Sequence, residues 1–379
     1  MKAGKWVALC ALSAMAWCAH GAPLDDALAA TVSGKRPGGA EMTVARIDRS
    51  AYAGITDQAS FDRASRQAIL AFTRELIAYE NMVVAQKHRD RDDLAGVERL
   101  LDRFWKELLA NYQSALKTCA DCEAAGTSDE LRHLAAKAQV EPALREFYKA
   151  YLFEQFRLGA LFQKVSSEID VFNDNEITGA AFGDMAFLLS FDDGPSDRNG
   201  SSDRLIESLN RLGLHAVFFA LGERLSLRQG KSGDLAKLFA NQCLASHGQT
   251  HQSHAKLKEW QASVLDSLAM AKSAAPDAFA NAFRPPYGQR RADSGDFFRR
   301  HGVKVVLWNI DSQDWHKKIS AQDAVDRVVS LMLLRRKGII LFHDIHAKAS
   351  VAIPRIFQTL ENTAIQWLDC RNSPYGNAD

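Results

Sequence analysis

After residue 175 the chain resolves into short apolar runs, each ending in a cluster of polar residues. The runs are 186–191, 216–220, 243–246, 282–284, 304–309, 338–342 and 365–370, with helical segments between them. Strands that alternate with helices predict parallel βαβ units, hence an α/β fold. Seven strands within about 195 residues favour a distorted (β/α) barrel of about seven strands over an open sheet. In such a barrel the reactive groups sit at the carboxyl ends of the strands, and here the polar clusters fall just after them. The first cluster is the most abrupt. Met185-Ala186-Phe187-Leu188-Leu189 runs into Phe191-Asp192-Asp193-Gly194-Pro195, which reads as a buried strand that breaks off with two adjacent carboxylates on display. Two like charges at that place call for a metal or a matched cation.

The half before these strands has a different character. From about residue 57 to 170, stretches such as 66–86 and 94–117 space apolar residues by three and four, with charges between them. Thr127-Ser128-Asp129 reads as a helix start, and Pro142 suits a first helical turn. This predicts an all-α N-terminal region of four or five helices, packed as a bundle or layered on the later domain. Leu100, Leu101, Phe104, Trp105, Leu108 and Leu109 read as a core face, and His88-Arg89-Asp90 as a charged loop. No chemistry is legible in this half.

At the very start, Lys2 and Lys5 precede an apolar run from Trp6 to Ala19, followed by small residues. That is the pattern of a secretory signal peptide, with cleavage expected after Gly21. The bulky Trp17 before Cys18 argues against a lipoprotein anchor. The expected organisation is therefore a signal peptide (1–21), a helical domain of unassigned partner (22–180), an α/β domain (181–372) and a tail (373–379). No further stretch is long and apolar enough to span a bilayer, so the expectation is an exported protein, periplasmic or extracellular. Without Lys2 and Lys5 the 47 basic residues become 45 against 46 acids, a formal charge of −1. That balance gives no support for nucleic-acid binding. Of the four remaining cysteines, Cys119 and Cys122 are placed for a local disulfide in an oxidising compartment, and they lack the strand-to-helix setting of a redox motif.

The other clusters carry recognisable chemistry. Ser246-His247-Gly248-Gln249-Thr250-His251-Gln252-Ser253-His254 holds three of the chain's 11 histidines. On a helical turn, His247 and His251 would face one side, and with a carboxylate from another strand they would complete the three-ligand set of an open zinc site. His254 is an alternative to His251. Arg284-Pro285-Pro286-Tyr287-Gly288 fixes an arginine and a main-chain N–H beside two prolines. Asn309-Ile310-Asp311-Ser312-Gln313-Asp314-Trp315 brings two carboxylates and an aromatic, and Leu341-Phe342-His343 ends an apolar run on a histidine, with His346 close behind.

In their order, Ser190-Phe-Asp-Asp-Gly-Pro195, His247-x-x-x-His251, Arg284-Pro-Pro-Tyr-Gly288, Asp311-x-x-Asp-Trp315 and Leu341-x-His343, these motifs resemble the polysaccharide deacetylase (NodB-homology) family of carbohydrate esterases. The resemblance covers roughly residues 185–372. It implies a distorted barrel and a metal-dependent hydrolase that removes acetyl groups from N-acetylated sugars in a polymer. It further implies that Asp193, His247 and His251 hold the metal, that Asp192 is the general base with Arg284 paired to it, and that His343 is the general acid, tuned by Asp311. The N–H near Tyr287 would help hold the oxyanion, while Trp315 and Leu341 would line a pocket for the acetyl methyl. The cofactor expected is one divalent ion, zinc by default, with cobalt, nickel or iron also able to occupy such a set. The physics of an amide demands these parts: polarisation of the carbonyl, a base for the water and an acid for the leaving amine. An O-acetyl (xylan-type) esterase and a non-catalytic carbohydrate-binding protein are the competing readings. Peptidoglycan, an exopolysaccharide and chitin-like oligomers all remain open as the polymer.

Overall fold

The computed structural model describes Ile47, Arg49 and residues 52–87, 95–161 and 168–372. The signal peptide and the C-terminal tail expected from the sequence lie outside the described residues, as does His88-Arg89-Asp90. No helix among the described residues is long and apolar enough to cross a membrane.

Nine strands form one parallel sheet, curled into a half-barrel with helices around it. β1 is Glu176–Ile177, β2 Ala186–Asp192, β3 Val217–Ala220, β4 Cys243–Ser246, β5 Phe279–Phe283, β6 Lys304–Val306, β7 Ile310–Asp311, β8 Gly338–His343 and β9 Gln366–Trp367. The spatial order is β1-β6-β5-β4-β3-β2-β8-β7, with β9 beside β2. All seven residues of β2 are buried, as expected of a parallel strand covered on both faces. Its side chains alternate between two cores. Leu188 packs inside the barrel with Val217, Phe219, Trp308 and Leu341, whereas Phe187, Leu189 and Phe191 pack outward against helices. The inward face continues through Ser190 to Asp192, so alternation alone carries that carboxylate into the barrel mouth.

Two strands escape a reading of the sequence. β1 is a two-residue edge, too short to register as an apolar run. The run 304–309 is not one strand. Leu307 N donates to Ile177 O on one edge of the sheet, and Asn309 N donates to Ile339 O on the other. The segment therefore leaves β6 and crosses the open side of the barrel before it becomes β7.

The N-terminal half supplies α1 (Gln58–Lys87), α2 (Ala95–Ala115), α3 (Ser128–Lys137) and α4 (Pro142–Leu161). They are layered on the barrel through α10 (Ala321–Arg335), the crossover from β7 to β8. From Ala324 to Arg335 every residue of α10 is buried, as befits a helix with neighbours all round. The layers share one continuous apolar core, from Phe61, Phe72 and Phe104 on one side to Val325, Val329 and Phe342 on the other. Polar groups stitch the seam. Ser65 Oγ donates to Leu333 O, Asn111 Nδ2 to Leu334 O and Tyr148 OH to Ser330 O. Arg336, 1% exposed, pairs with Asp62 at 2.7 Å and with Asp184 at 2.8 Å.

Two disulfides are present. Cys119–Cys122 is the local bridge that the sequence allows, and Cys243–Cys370 ties the start of β4 to the C-terminal segment.

Removing one acid from the Arg336 pair leaves a buried cation short of a partner. Asp62→Ala is expected to destabilise the protein by about 3 kcal/mol, read from urea unfolding, with the near-surface pair Lys231–Asp197 as an inert control.

Candidate active site

The register of the sheet assembles the site. Asp192 stands opposite Phe219 of β3 on one side and His343 of β8 on the other, and Ser246 opposite Phe283. The carboxyl ends of β2, β4, β5 and β8 thus lie side by side, and the residues just beyond them meet at one mouth.

Arg284 is the anchor. Its side chain is fully buried. Nη1 donates to Asp192 Oδ1 and to Ser190 Oγ, both at 2.9 Å. Nε and Nη2 donate to Val306 O and Leu307 O, both at 3.0 Å, in the segment where the chain leaves β6. The guanidinium also lies over the rings of Phe219 and Trp308, at 4.2 and 5.3 Å. Asp192 is thereby held by one oxygen while Oδ2 stays turned to His247 Nε2, 3.8 Å away.

Asp193, His247 and His251 bring one ligand atom each to within 4.8 Å of one another. Asp193 Oδ1 lies 3.4 Å from each of the two Nε2 atoms, close to the ~3.3 Å edge of a tetrahedron with metal–ligand bonds of about 2.0–2.1 Å. The same Oδ1 is buried without a hydrogen-bond partner. His247 Nδ1 is 2.7 Å from Arg284 O. A carbonyl only accepts, so Nδ1 carries the proton and Nε2 presents its lone pair. Burial works against the charge of Asp193, but His247, with His343 and His251 behind it, holds the carboxyl well below its usual range. Burial and the neighbouring His247 push the His251 imidazole down, toward the neutral form that a metal needs. These residues fit a divalent ion.

The route to this geometry differs from the helical turn expected from the four-residue spacing. Residues 247–251 form an irregular bend, because Gly248 sits at φ +84° and its carbonyl accepts from Gly222 N. The bend still sets the two rings 5.3 Å apart. His254 is excluded from the cluster. Its Nδ1 bonds Gln252 O, its Nε2 bonds Ser263 Oγ, and burial drives its pKa down to about 4.

His343 holds the other wall, and here the acid expected to tune it needs correction. The partner of His343 is Asp314, not Asp311. Nδ1 lies 2.7 Å from Asp314 Oδ1, and the His343 amide donates to Oδ2 at 3.0 Å. Asp311 instead accepts from Gln313 N, and its backbone carbonyl accepts from Arg327. The strand ends at Asp311, and Gln313 at φ +54° turns the chain so that the acid three residues on faces the imidazole. Burial alone would lower the His343 pKa, but the charge and hydrogen bond of Asp314, with Asp193 and Asp192 behind, raise it to about 10. Asp344, which the sequence did not single out, is fully enclosed. It accepts from Ser202 Oγ at 2.6 Å and lies so close to Gly194 that any Cβ there would collide with it. His346 immediately precedes the next helix, lies beside His343 and contributes no ligand atom to the cluster.

The remaining candidates fall at the rim and floor. Tyr287, at φ +59° and 54% exposed, sets its ring edge against His251 at 4.4 Å. Trp315 is 43% exposed on the opposite lip. Leu341 lies buried within the barrel, opposite Asp311 and in the cluster with Trp308.

The polysaccharide deacetylase family profile matches residues 180–306. The chain is 28% identical to a chitooligosaccharide deacetylase of a Bradyrhizobium species over 172 residues, which are 44% of this chain and 74% of that protein. It is 27% identical to the peptidoglycan-N-acetylmuramic acid deacetylase PdaC of Bacillus subtilis over 195 residues, 47% of this chain and 36% of that one. Among solved structures, a family 4 carbohydrate esterase from Streptomyces lividans in complex with acetate is 30% identical at a TM-score of 0.41, covering 47% of this chain and 90% of that one.

Equilibrium dialysis against zinc is expected to leave one ion per chain. Asp193→Ala and His247→Ala should each lower that affinity by at least tenfold while His254→Ala retains it.

Proposed function

The chain belongs to the polysaccharide deacetylase family, and on that premise we propose that it is an exported, metal-dependent hydrolase removing N-acetyl groups from an N-acetylhexosamine polymer. The observation that carries this reading is the convergence of Asp192, Asp193, His247, His251 and His343 on one barrel mouth, with Arg284 and Asp314 behind them. We assign the hydrolase to residues 181–372, joined in its sheet by the edge strand β1, and treat helices α1 to α4 as a layer integral to it. The names of the relatives, a chitooligosaccharide and a peptidoglycan deacetylase, favour an amide substrate. The signal-like start of the chain and its two disulfides favour export.

In this reading Asp193, His247 and His251 hold the metal. A divalent ion there, zinc by preference for two imidazoles and a carboxylate, supplies Lewis-acid polarisation of the acetyl carbonyl and an acidified water. Asp192 takes the proton of the attacking water on its free Oδ2, and Arg284 keeps that oxygen aimed by holding the other. The Tyr287 turn offers a main-chain N–H to the developing oxyanion. His343, kept charged by Asp314, gives its Nε2 proton to the departing amine, which would otherwise be a poor leaving group. Trp315 and Leu341 enclose the acetyl methyl.

Acetate release from chito-oligomers, peptidoglycan and acetylated xylan, with and without chelator, tests the reading. Chelator-sensitive release from an amide polymer supports it, and release from xylan alone would replace it with an ester hydrolase. Asp192→Asn should cut turnover at least a hundredfold with the metal retained; full activity would sink the base assignment. Asp314→Asn removes the charge that raises the His343 pKa, so the acid deprotonates at lower pH. The alkaline limb of the rate profile should therefore move to lower pH, read from kcat across the pH range.

A further inference from the structure

A cavity of about 390 Å³ lies where the helical layer meets the open side of the barrel. That volume falls in the range of roughly 300–1,000 Å³ usual for ligand pockets. One wall carries Arg103 and Phe104 of α2 and Tyr151 of α4, the other Glu168, Trp308 and Asp311. Most of its polar lining is paired within the fold, as in Arg335–Glu107 and Arg99–Asp170, but Arg103 and Glu168 are not. Arg103 has neither a hydrogen bond nor an ion pair among the described residues, although Glu107 and Asp170 lie within range of its charge. Glu168 bonds only to its own backbone and, like Asp311, meets no cation within ion-pair distance among the described residues. Burial raises both carboxyls, Glu168 to about 8 and Asp311 to about 6, and outweighs the nearby Arg290 and Arg327 and the bond from Gln313 N.

Two connections lead from the cavity wall to the candidate active site. Gly288 packs so closely on the Glu168 backbone that a Cβ would overlap it, and the preceding Tyr287 touches His251. Asp311 precedes Asp314, the partner of His343, by three residues. Next to the lining residue Val171, Phe172 has the Arg290 guanidinium over its ring at 4.9 Å and leaves 42% of its surface exposed. Planar carboxyl groups and a guanidinium with free donors suit vicinal hydroxyls, and an exposed ring suits the apolar face of a sugar. Asp311, with Glu107, Glu154 and Asp170 in the same lining, opposes a phosphate, and the charged lining opposes an apolar ligand.

We propose that this cavity is a carbohydrate subsite, which holds a pyranose residue of the polymer chain next to the one being deacetylated. The helical layer is then part of the substrate groove. This rests on the deacetylase reading above and adds the chain-length preference that the reading lacks.

Acetate release is measured on oligomers of two to five residues of whichever polymer the native protein turns over, and on the small ester 4-nitrophenyl acetate. For Arg103→Ala and Glu168→Ala, KM for the pentamer should rise about tenfold, the loss of one or two hydrogen bonds. The small ester, which reaches only the metal, should change by less than twofold. Thermal unfolding of each variant checks that the fold is kept. Equal changes on every substrate, or no change on the pentamer, would overturn the subsite while leaving the deacetylase reading intact. Absence of release by the native protein from all acetylated polymers would overturn that reading and this one with it.

Discussion

A single buried guanidinium links the scaffold to its chemistry. Arg284 sits in the barrel interior, where an unpaired cation would cost many kcal/mol, and every direction of its fork is used. Asp192 neutralises it, Ser190 takes a second bond from the same nitrogen, and the carbonyls of Val306 and Leu307 take the rest. Those carbonyls are available because the chain leaves the sheet there to cross the open side of the barrel. The arginine's own carbonyl then fixes the tautomer of His247. One residue thus compensates a break in the sheet, aims a carboxylate and orients an imidazole. Lysine, with three donors on a flexible stem, could not serve these partners together.

The break also explains why the helical half is present as a layer and not as an appendage. A half-barrel with edges at β1 and β7 leaves its crossover helix α10 exposed unless something covers it. Helices α1, α2 and α4 do so, through a shared core and through side chains that reach the last carbonyls of α10. Arg335 and Arg336, at its end, turn into the seam and pair with Glu107, Asp62 and Asp184. The charges along α2 are therefore partly interfacial, since its Glu107 is the partner of Arg335.

Much of this was legible in the sequence because it depends on local rules. Strand period places Asp192 inward, the apolar runs mark the strands, and polar residues after them mark the mouth. What failed was long-range or conformational. The choice between Asp311 and Asp314 turns on one residue, Gln313, entering the left-handed region, and two acids of the same kind three apart carry no signal of that. His247 and His251 were paired by a spacing that suggests a helix, yet a glycine bend delivers the geometry. Cys243 and Cys370 are 127 residues apart, and only the return of the chain beside β2 brings them together. The switch of the chain between sheet edges after Val306 is likewise invisible in a run of apolar letters.

Strain follows the same map. Outside glycine, six described residues occupy positive φ, and three of them, Asp193, Tyr287 and Gln313, lie at the mouth of the site. Each costs of the order of 1 kcal/mol relative to relaxed backbone. Each also does something that a relaxed backbone would not. Asp193 turns its carboxylate away from Asp192 toward the two imidazoles, Tyr287 sets its ring against His251, and Gln313 brings Asp314 to His343. The buried, unpartnered Asp193 Oδ1 adds a desolvation cost in the same place. A sequence selected only for stability would relax these positions. Their concentration where three strand ends meet therefore marks the part of the molecule where site geometry outweighs backbone relaxation, and the rigid sheet with its helical layer is what makes that geometry tolerable.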